Sequence, residues 1–155
     1  MPKPLWAPWR LEYIQQADEQ EGCIFCEPAE SLVVAHGERA FAILNKYPYA
    51  SGHLMVAPVR HVGDFGELSD DEALEVHRLA STAIGVLAQA YAPQGYNVGW
   101  NLGRIAGAGI VDHVHLHVVP RWAGDTNFMP VLADVKVIPE ALADTCRRLR
   151  ELWPG

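Results

Sequence analysis

Asp112-His113-Val114-His115-Leu116-His117-Val118-Val119-Pro120-Arg121-Trp122 places three of the chain's seven histidines at alternate positions within five residues. Side chains on a β-strand alternate between the two faces. The spacing therefore predicts a strand with three imidazoles on one face and Val114, Leu116 and Val118 turned into a core. An ordinary wet strand face more usually carries Thr, Lys or Glu. Imidazole titrates near neutrality and can act as nucleophile, acid, base or metal ligand, so the stretch reads as a site built on a strand.

Upstream, Ser31–Ala35 and Arg39–Leu44 read as two strands around a turn at His36-Gly37-Glu38, and Gly52–Val59 as a third with Pro58 near its end. Ser69-Asp-Asp-Glu72 is a capping-box start with acids suited to a helix N-terminus. Behind it Leu74, Val76, Leu79, Ala80, Ala83, Ile84, Leu87 and Ala90 follow helical spacing as far as Pro93. Tyr96–Asn101 is a fourth strand, and a glycine-rich loop, Gly103–Gly109, leads into the fifth, the histidine strand. Pro139 fits the first turn of a closing helix, Glu140–Leu152. Strands joined by short turns favour an antiparallel sheet with helices segregated from it, an α+β fold.

The 155 residues read as one domain, 1–155, with a Trp-bearing arm at 1–22 (a short helix around Arg10–Ala17) and a C-terminal extension from 123. A net charge of -7 argues against nucleic acid as a partner, since that binding relies on many Lys and Arg contacts to phosphates. One small anion can still be held by backbone N–H groups. Three cysteines make no disulfide framework, and a reducing cytoplasm is the simpler expectation. The first residues lack the apolar stretch of a signal peptide. Leu79–Ala92, the longest charge-free apolar stretch, is short of the ~20 residues that span a bilayer, so no membrane is expected.

Glycines at 103, 107 and 109 let the main chain approach a ligand closely, as phosphate cradles require. Beside three histidines, with Asn101 at the head of the loop, they read as a phosphate site. A neutral histidine there can attack phosphorus and carry a phosphoryl or nucleotidyl group, dividing a transfer into two steps. Cys23-Ile-Phe-Cys26 has the spacing of half a tetrahedral zinc site. Haem attachment is excluded because Glu27 follows, no downstream His pair suits a zinc finger, and no strand precedes the pair as in a thioredoxin-like motif. Two reduced, buried cysteines are the alternative. Cys146, alone on a helix, reads as packing; His77 and His36 read as structural or solvent-facing.

His113-Val-His-Leu-His-Val-Val-Pro120 resembles the signature of the histidine-triad (HIT) family of nucleotide hydrolases and transferases. Phe41-Ala-Ile-Leu-Asn-Lys-Tyr-Pro48, Gly52-His-Leu-Met-Val-Ala-Pro58 and Asn101-Leu-Gly-Arg-Ile-Ala-Gly107 resemble its successive motifs, in order. Pro120-Arg-Trp-Ala-Gly-Asp-Thr-Asn-Phe128 is similar to the branch that cleaves diadenosine polyphosphates. Leu5-Trp-Ala-Pro-Trp-Arg10 and Lys136-Val-Ile-Pro-Glu140 are similar to its bacterial diadenosine tetraphosphate phosphorylases. The resemblance implies a HIT-like five-stranded antiparallel sheet with a long helix and a C-terminal helix.

It also implies that His115 is the nucleophile that takes AMP from the α-phosphate, with His117 contacting that phosphate and the leaving group. Asn101, Gly107 and Gly109 would hold phosphate oxygens, Asn45 the ribose, and Ile43 would flank adenine. His53 would support the triad from behind, its alternative being an ordinary core histidine. Many members carry a zinc ion on the cysteine pair, and the matching ligands are Cys23, Cys26, His61 and His113. Many also pair as homodimers through a continuous sheet.

One departure concerns the segment before the first histidine. The family often has Ala-Gly-Gln-Ser/Thr-Val, whereas this chain has Ala106-Gly-Ala-Gly-Ile-Val-Asp112, one residue longer and without the glutamine. That leaves room for inorganic phosphate as acceptor in place of water. The expected activity is cleavage of a dinucleoside polyphosphate, diadenosine tetraphosphate, through an AMP–histidine intermediate. The alternatives are hydrolysis of purine nucleoside phosphoramidates and an adenine-nucleotide sensor with little turnover.

Overall fold

The computed structural model describes residues 22–125 and 140–155. Residues 1–21 of the expected arm with its helix at 10–17, and residues 126–139 of the C-terminal extension, Pro139 among them, lie outside the described residues. Five strands, β1 (Val33–His36), β2 (Ala40–Leu44), β3 (Leu54–Pro58), β4 (Gly95–Trp100) and β5 (Leu116–Arg121), form one sheet in the order β1-β2-β3-β5-β4. Every pairing is antiparallel. Helix α1 (Asp70–Tyr91) connects β3 to β4, and β5 returns between them; α2 (Leu142–Leu152) follows. The α+β reading holds, with strand ends shifted by one to three residues.

Alternation along the strands gives the sheet two different faces. On one, Ala40, Ala42, Leu44, Leu54, Val56, Leu116 and Val118 pack against Val76, Ala80, Ala83 and Leu87 of α1 and Leu149 of α2. On the other, Phe41, Ile43, Met55 and Ala57 are covered by Phe25. With both faces covered, β2 and β3 are buried at every position. Leu74 lies off the helix stripe and is 47% exposed, whereas Val86, absent from the expected stripe, is buried. Cys146 packs into the helix-side core, and burial pushes its thiol up.

The capping box forms as the sequence predicts. The Ser69 hydroxyl accepts from the Glu72 N–H (3.1 Å) and the Ser69 N–H donates to the Glu72 carboxylate (3.0 Å). One turn on, the Glu75 carboxylate accepts from the backbone N–H groups of Glu38, Arg39 and Ala40, which ties the β1–β2 turn to the helix. The helix stops at Ala92, in the left-handed region with φ 47°, just before Pro93. Gly52, at φ 82°, enters β3 where a Cβ would lie 2.8 Å from the Leu87 side chain, so that turn needs glycine.

The C-terminal helix begins two residues later than expected, with Ala141 as its uncapped N-cap. Glu140 is engaged elsewhere: it accepts from the Tyr91 hydroxyl and from Thr145 (3.2 Å), and it pairs with Arg148 (3.2 Å). Burial and then the Glu140 carboxylate push the Tyr91 hydroxyl up to about 12. Among the described residues, no helix is long and apolar enough to cross a membrane.

Arg60 grips the buried Glu72 through its Nε (3.1 Å) and one terminal nitrogen (2.8 Å), holding that carboxyl at about 2. A depressed carboxyl pKa stabilises the fold above its unfolded value, and the contribution fades as pH falls through the folded one. Arg60 is half-exposed, so Glu72→Gln is expected to cost only about 1–2 kcal/mol at neutral pH. That difference from the native chain should shrink as pH drops from about 4.5 toward about 2. Urea unfolding at several acidic pH values checks it; a gap constant across that window contradicts the assignment.

Candidate active site and metal centre

The histidine segment is extended, but the sheet ladder takes it up only from Leu116. His117 therefore lies in β5, opposite Met55 on one side and Gly99 on the other, while His113 and His115 precede the strand. The physical reason is Pro58. It ends β3 and has no N–H to extend the ladder, and its carbonyl accepts from the His113 ring. Val114 pairs instead with the Val62 carbonyl (2.8 Å). All three imidazoles share the face opposite α1, yet they are not wet: His113, His115 and His117 are 0, 4 and 8% exposed.

Fixed backbone partners settle the proton positions, because a carbonyl can only accept and an N–H can only donate. His113 Nε2 donates to the Pro58 carbonyl (2.7 Å), which leaves Nδ1 with the lone pair. His115 Nδ1 donates to the His113 carbonyl (3.0 Å), which leaves the Nε2 lone pair when the ring is neutral. The Tyr49 N–H donates to His53 Nδ1 (3.1 Å), so the His53 proton sits on Nε2 and is donated to His117 Nδ1 (2.9 Å). His117 must then carry its own proton on Nε2. The result is a basic nitrogen on His115 beside a proton-bearing one on His117, with ring centres 4.9 Å apart.

His53 is fully buried and stacks on Tyr49 with ring centres 5.0 Å apart. Its ring stands in hydrogen-bond contact with that of His117. Ile43 and Asn45 follow one another on the same side of the chain, Ile43 in the cluster with Phe25 and Met55. Asn45 is buried, and its side-chain oxygen accepts from the Tyr47 N–H (2.9 Å).

Asn101 lies one residue past β4 and borders a cleft of about 410 Å³ with Gly103, Ile110 and Asp112, which none of the three histidines lines. The glycine loop is less open than expected. The N–H groups of Ala106, Gly107 and Ala108 donate to the carbonyls of Gly103, Arg104 and Gly103 within the loop. Gly107, at φ 98°, has a left-handed backbone that favours glycine, and it lies beside the Asn101 amide, which a Cβ there would meet at an ordinary 3.8 Å. Ala108, in the stretch where the family often has glutamine, is buried.

Two residues beyond sequence reasoning belong to this site. Pro58 serves through a backbone oxygen, which no side-chain pattern reveals. Phe25, the residue inside the cysteine pair, is buried with its ring 4.7 Å from that of His115 and 5.4 Å from that of His113.

The four expected metal ligands converge. One ligand atom from each of Cys23, Cys26, His61 and His113 lies within 4.8 Å of the others. His113 Nδ1 stands 3.4 Å from Cys23 Sγ, 3.6 Å from Cys26 Sγ and 3.2 Å from His61 Nδ1, and Cys26 Sγ is 3.2 Å from His61 Nδ1. Donors around a tetrahedral ion bound at about 2.3 Å to sulfur and about 2.0 Å to nitrogen stand roughly 3.3–3.8 Å apart. The residues therefore fit a metal ion. Burial, with the neighbouring His61, holds His113 below the usual imidazole range, favouring the neutral ligand form. His36, by contrast, is exposed and pairs with Glu30 (3.1 Å), and His77 is exposed on α1.

A family model described as the HIT domain matches residues 27–124, so the match begins just after the cysteine pair. The chain is 41% identical to an AP-4-A phosphorylase of Mycobacterium tuberculosis, over 96% of this chain and 83% of that protein. It is 34% identical to an adenosine 5'-monophosphoramidase of Schizosaccharomyces pombe, over 64% of this chain and 74% of the other. Among solved structures, a Zn-bound histidine triad family protein from Mycobacterium smegmatis shares the fold, with a TM-score of 0.69 at 24% identity. That likeness covers 85% of this chain and 93% of that one.

Cobalt(II) added to metal-free protein should give thiolate charge-transfer and tetrahedral ligand-field bands that saturate at one ion per chain. Cys26→Ala should weaken binding by at least about tenfold. Octahedral spectra, or binding indifferent to Cys26, would show that these four residues are not the ligands.

Proposed function

Because this chain belongs to the HIT domain family, we propose that it cleaves dinucleoside polyphosphates, diadenosine tetraphosphate above all, at the α-phosphate. The observation that carries this reading is the pairing of a His115 Nε2 lone pair with a His117 Nε2–H on one buried face. The 41% identity to an AP-4-A phosphorylase supports the substrate class.

In the first step His115 Nε2 attacks the α-phosphorus of one adenylyl half. The bond from that phosphorus to the bridging oxygen breaks, and ATP departs with the electron pair. His117 Nε2–H donates to the departing oxygen, while AMP stays bound to His115 through a P–N bond. In the second step an oxygen of inorganic phosphate attacks the same phosphorus and the P–N bond breaks. ADP leaves, and the lone pair returns to His115. Water in the same place would give AMP. Gly99, which has no side chain, sits across from His117 with open space around it and leaves the strand accessible there. Ile43 would flank adenine, and Asn45 the ribose. Asn101, Gly107 and Gly109 would border the phosphates, Gly107 by its shape.

We assign the metal as zinc, in a structural role. Two thiolates and two imidazoles at tetrahedral spacing suit it, and four protein ligands leave no position for substrate. Strand β4 is an edge strand, and Val98 on it is 47% exposed above an apolar groove of about 480 Å³ lined by Phe65, Ile84 and Trp100. An unpaired apolar edge invites strand pairing, so a homodimer with a continuous sheet is the proposed assembly. The formal charge of -7 and the unpaired thiols fit a cytoplasmic enzyme of small nucleotides, without nucleic-acid or membrane partners. Hydrolysis of a nucleoside phosphoramidate is the second reading, favoured by the S. pombe relative.

Incubation with diadenosine tetraphosphate at millimolar phosphate should yield ATP and ADP; ATP and AMP would make the protein a hydrolase, and faster turnover of adenosine 5'-phosphoramidate would favour the second reading. His115→Ala should lower turnover by at least about a thousandfold while nucleotide binding is largely kept, since a covalent path is removed rather than a binding group. Near-native turnover would remove His115 from its role. Sedimentation should give twice the mass of one chain, and Val98→Lys should shift it toward the monomer.

A further inference from the structure

We propose that Phe25 is a positioning residue for His115, setting the tilt of the imidazole from within the loop that carries the two metal-binding thiols. The inference rests on His115 being the nucleophile. The hydrogen bond from Nδ1 to the His113 carbonyl decides which nitrogen faces the substrate, and a rotation of the ring about that bond keeps it intact while changing the tilt. Rocking is limited by what touches the faces of the ring. Phe25 lies against it with centroids 4.7 Å apart and planes 32° apart, and His117 meets it edge-on, 4.9 Å apart at 64°.

Phe25 cannot easily retreat. It is 1% exposed and packed among Phe41, Ile43, Met55 and Ala57. Its backbone sits in a tight turn in which the N–H groups of Cys26 and Glu27 both donate to the Cys23 carbonyl (3.1 Å each). In-line attack tolerates little misplacement: an error on the order of 1 Å can cost about a hundredfold in rate.

The test compares Phe25→Leu with Phe41→Leu in the full, metal-loaded chain. Phe41 belongs to the same cluster, its ring 6.4 Å from that of Phe25, so its loss weakens the same packing without removing the ring beside His115. Long-range proton–nitrogen NMR of ligand-free protein reads the His115 ring directly. The native chain should show one protonated Nδ1 and one bare Nε2. Phe25→Leu should keep that tautomer but broaden and shift the His115 ring signals, as a ring rocking among tilts does, and lower kcat about tenfold, with KM changed less than about twofold. Metal content should stay the same. Phe41→Leu should keep native His115 signals and kcat despite a similar loss of stability.

Native signals and kcat in Phe25→Leu would overturn the proposal, as would a Phe41→Leu that reproduces its defects. Should Phe25→Leu not fold, Phe25→Ile decides by the same readouts. If the native chain does not turn over diadenosine tetraphosphate, the functional reading fails, and the NMR comparison still decides whether Phe25 positions the ring.

Discussion

The hydrogen bond from His113 Nε2 to the Pro58 carbonyl, 2.7 Å long and fully buried, is the constraint on which the site depends. It aims the lone pair of Nδ1 at Cys23, Cys26 and His61, so the metal centre and the end of β3 become one structure. It also fixes the main chain at residue 113, whose carbonyl is the acceptor for His115. One backbone oxygen thus governs two imidazoles, one of them by way of the first. Without it, His113 could turn over to its other tautomer and present an N–H to the metal position. An N–H cannot ligate.

A second backbone group does the same from the opposite side. The Tyr49 N–H sets the tautomer of His53, and His53 sets that of His117. His115 and His117 therefore receive opposite proton placements from two separate anchors, although they are neighbours on one face. Burial keeps water from competing for those hydrogen bonds, and low polarity around them strengthens each.

Much of this was legible in the sequence because it is periodic or local. The capping box at Ser69, the alternation at 113–118, the turn at 36–38 and the cysteine spacing all depend on residues a few positions apart. The grouping of Cys23 and Cys26 with His61 and His113 was legible only through family resemblance, since nothing local links Cys23 to His113. What stayed hidden depends on groups with no residue identity. The Pro58 carbonyl and the Tyr49 N–H look like any other backbone group until the fold brings a histidine to them. Phe25 drew no reading of its own, because a lone aromatic carries no period. The start of the closing helix was misplaced for a related reason: Glu140 suits a first turn by type, but its carboxylate is held by Tyr91, Thr145 and Arg148.

The loop before the triad bears on how an acceptor is chosen. Its glycines suggested a cradle of free N–H groups, but those of residues 106–108 are bonded within the loop. A loop that satisfies its own donors holds its shape without a ligand, so the cleft beside Asn101 is formed in advance of any ligand. Attraction for an anion must then come from donors beyond the loop's internal bonds and from side chains near it. The amide nitrogen of Asn101 faces Gly107, and the only cation within the loop is the exposed Arg104. Ala108, buried and without a polar group, offers nothing with which to orient a water. The cleft is also lined by Asp64 and Asp112, so an anionic acceptor would need enough N–H and cationic donors to offset two nearby acids, because an anion leaving water without partners is costly.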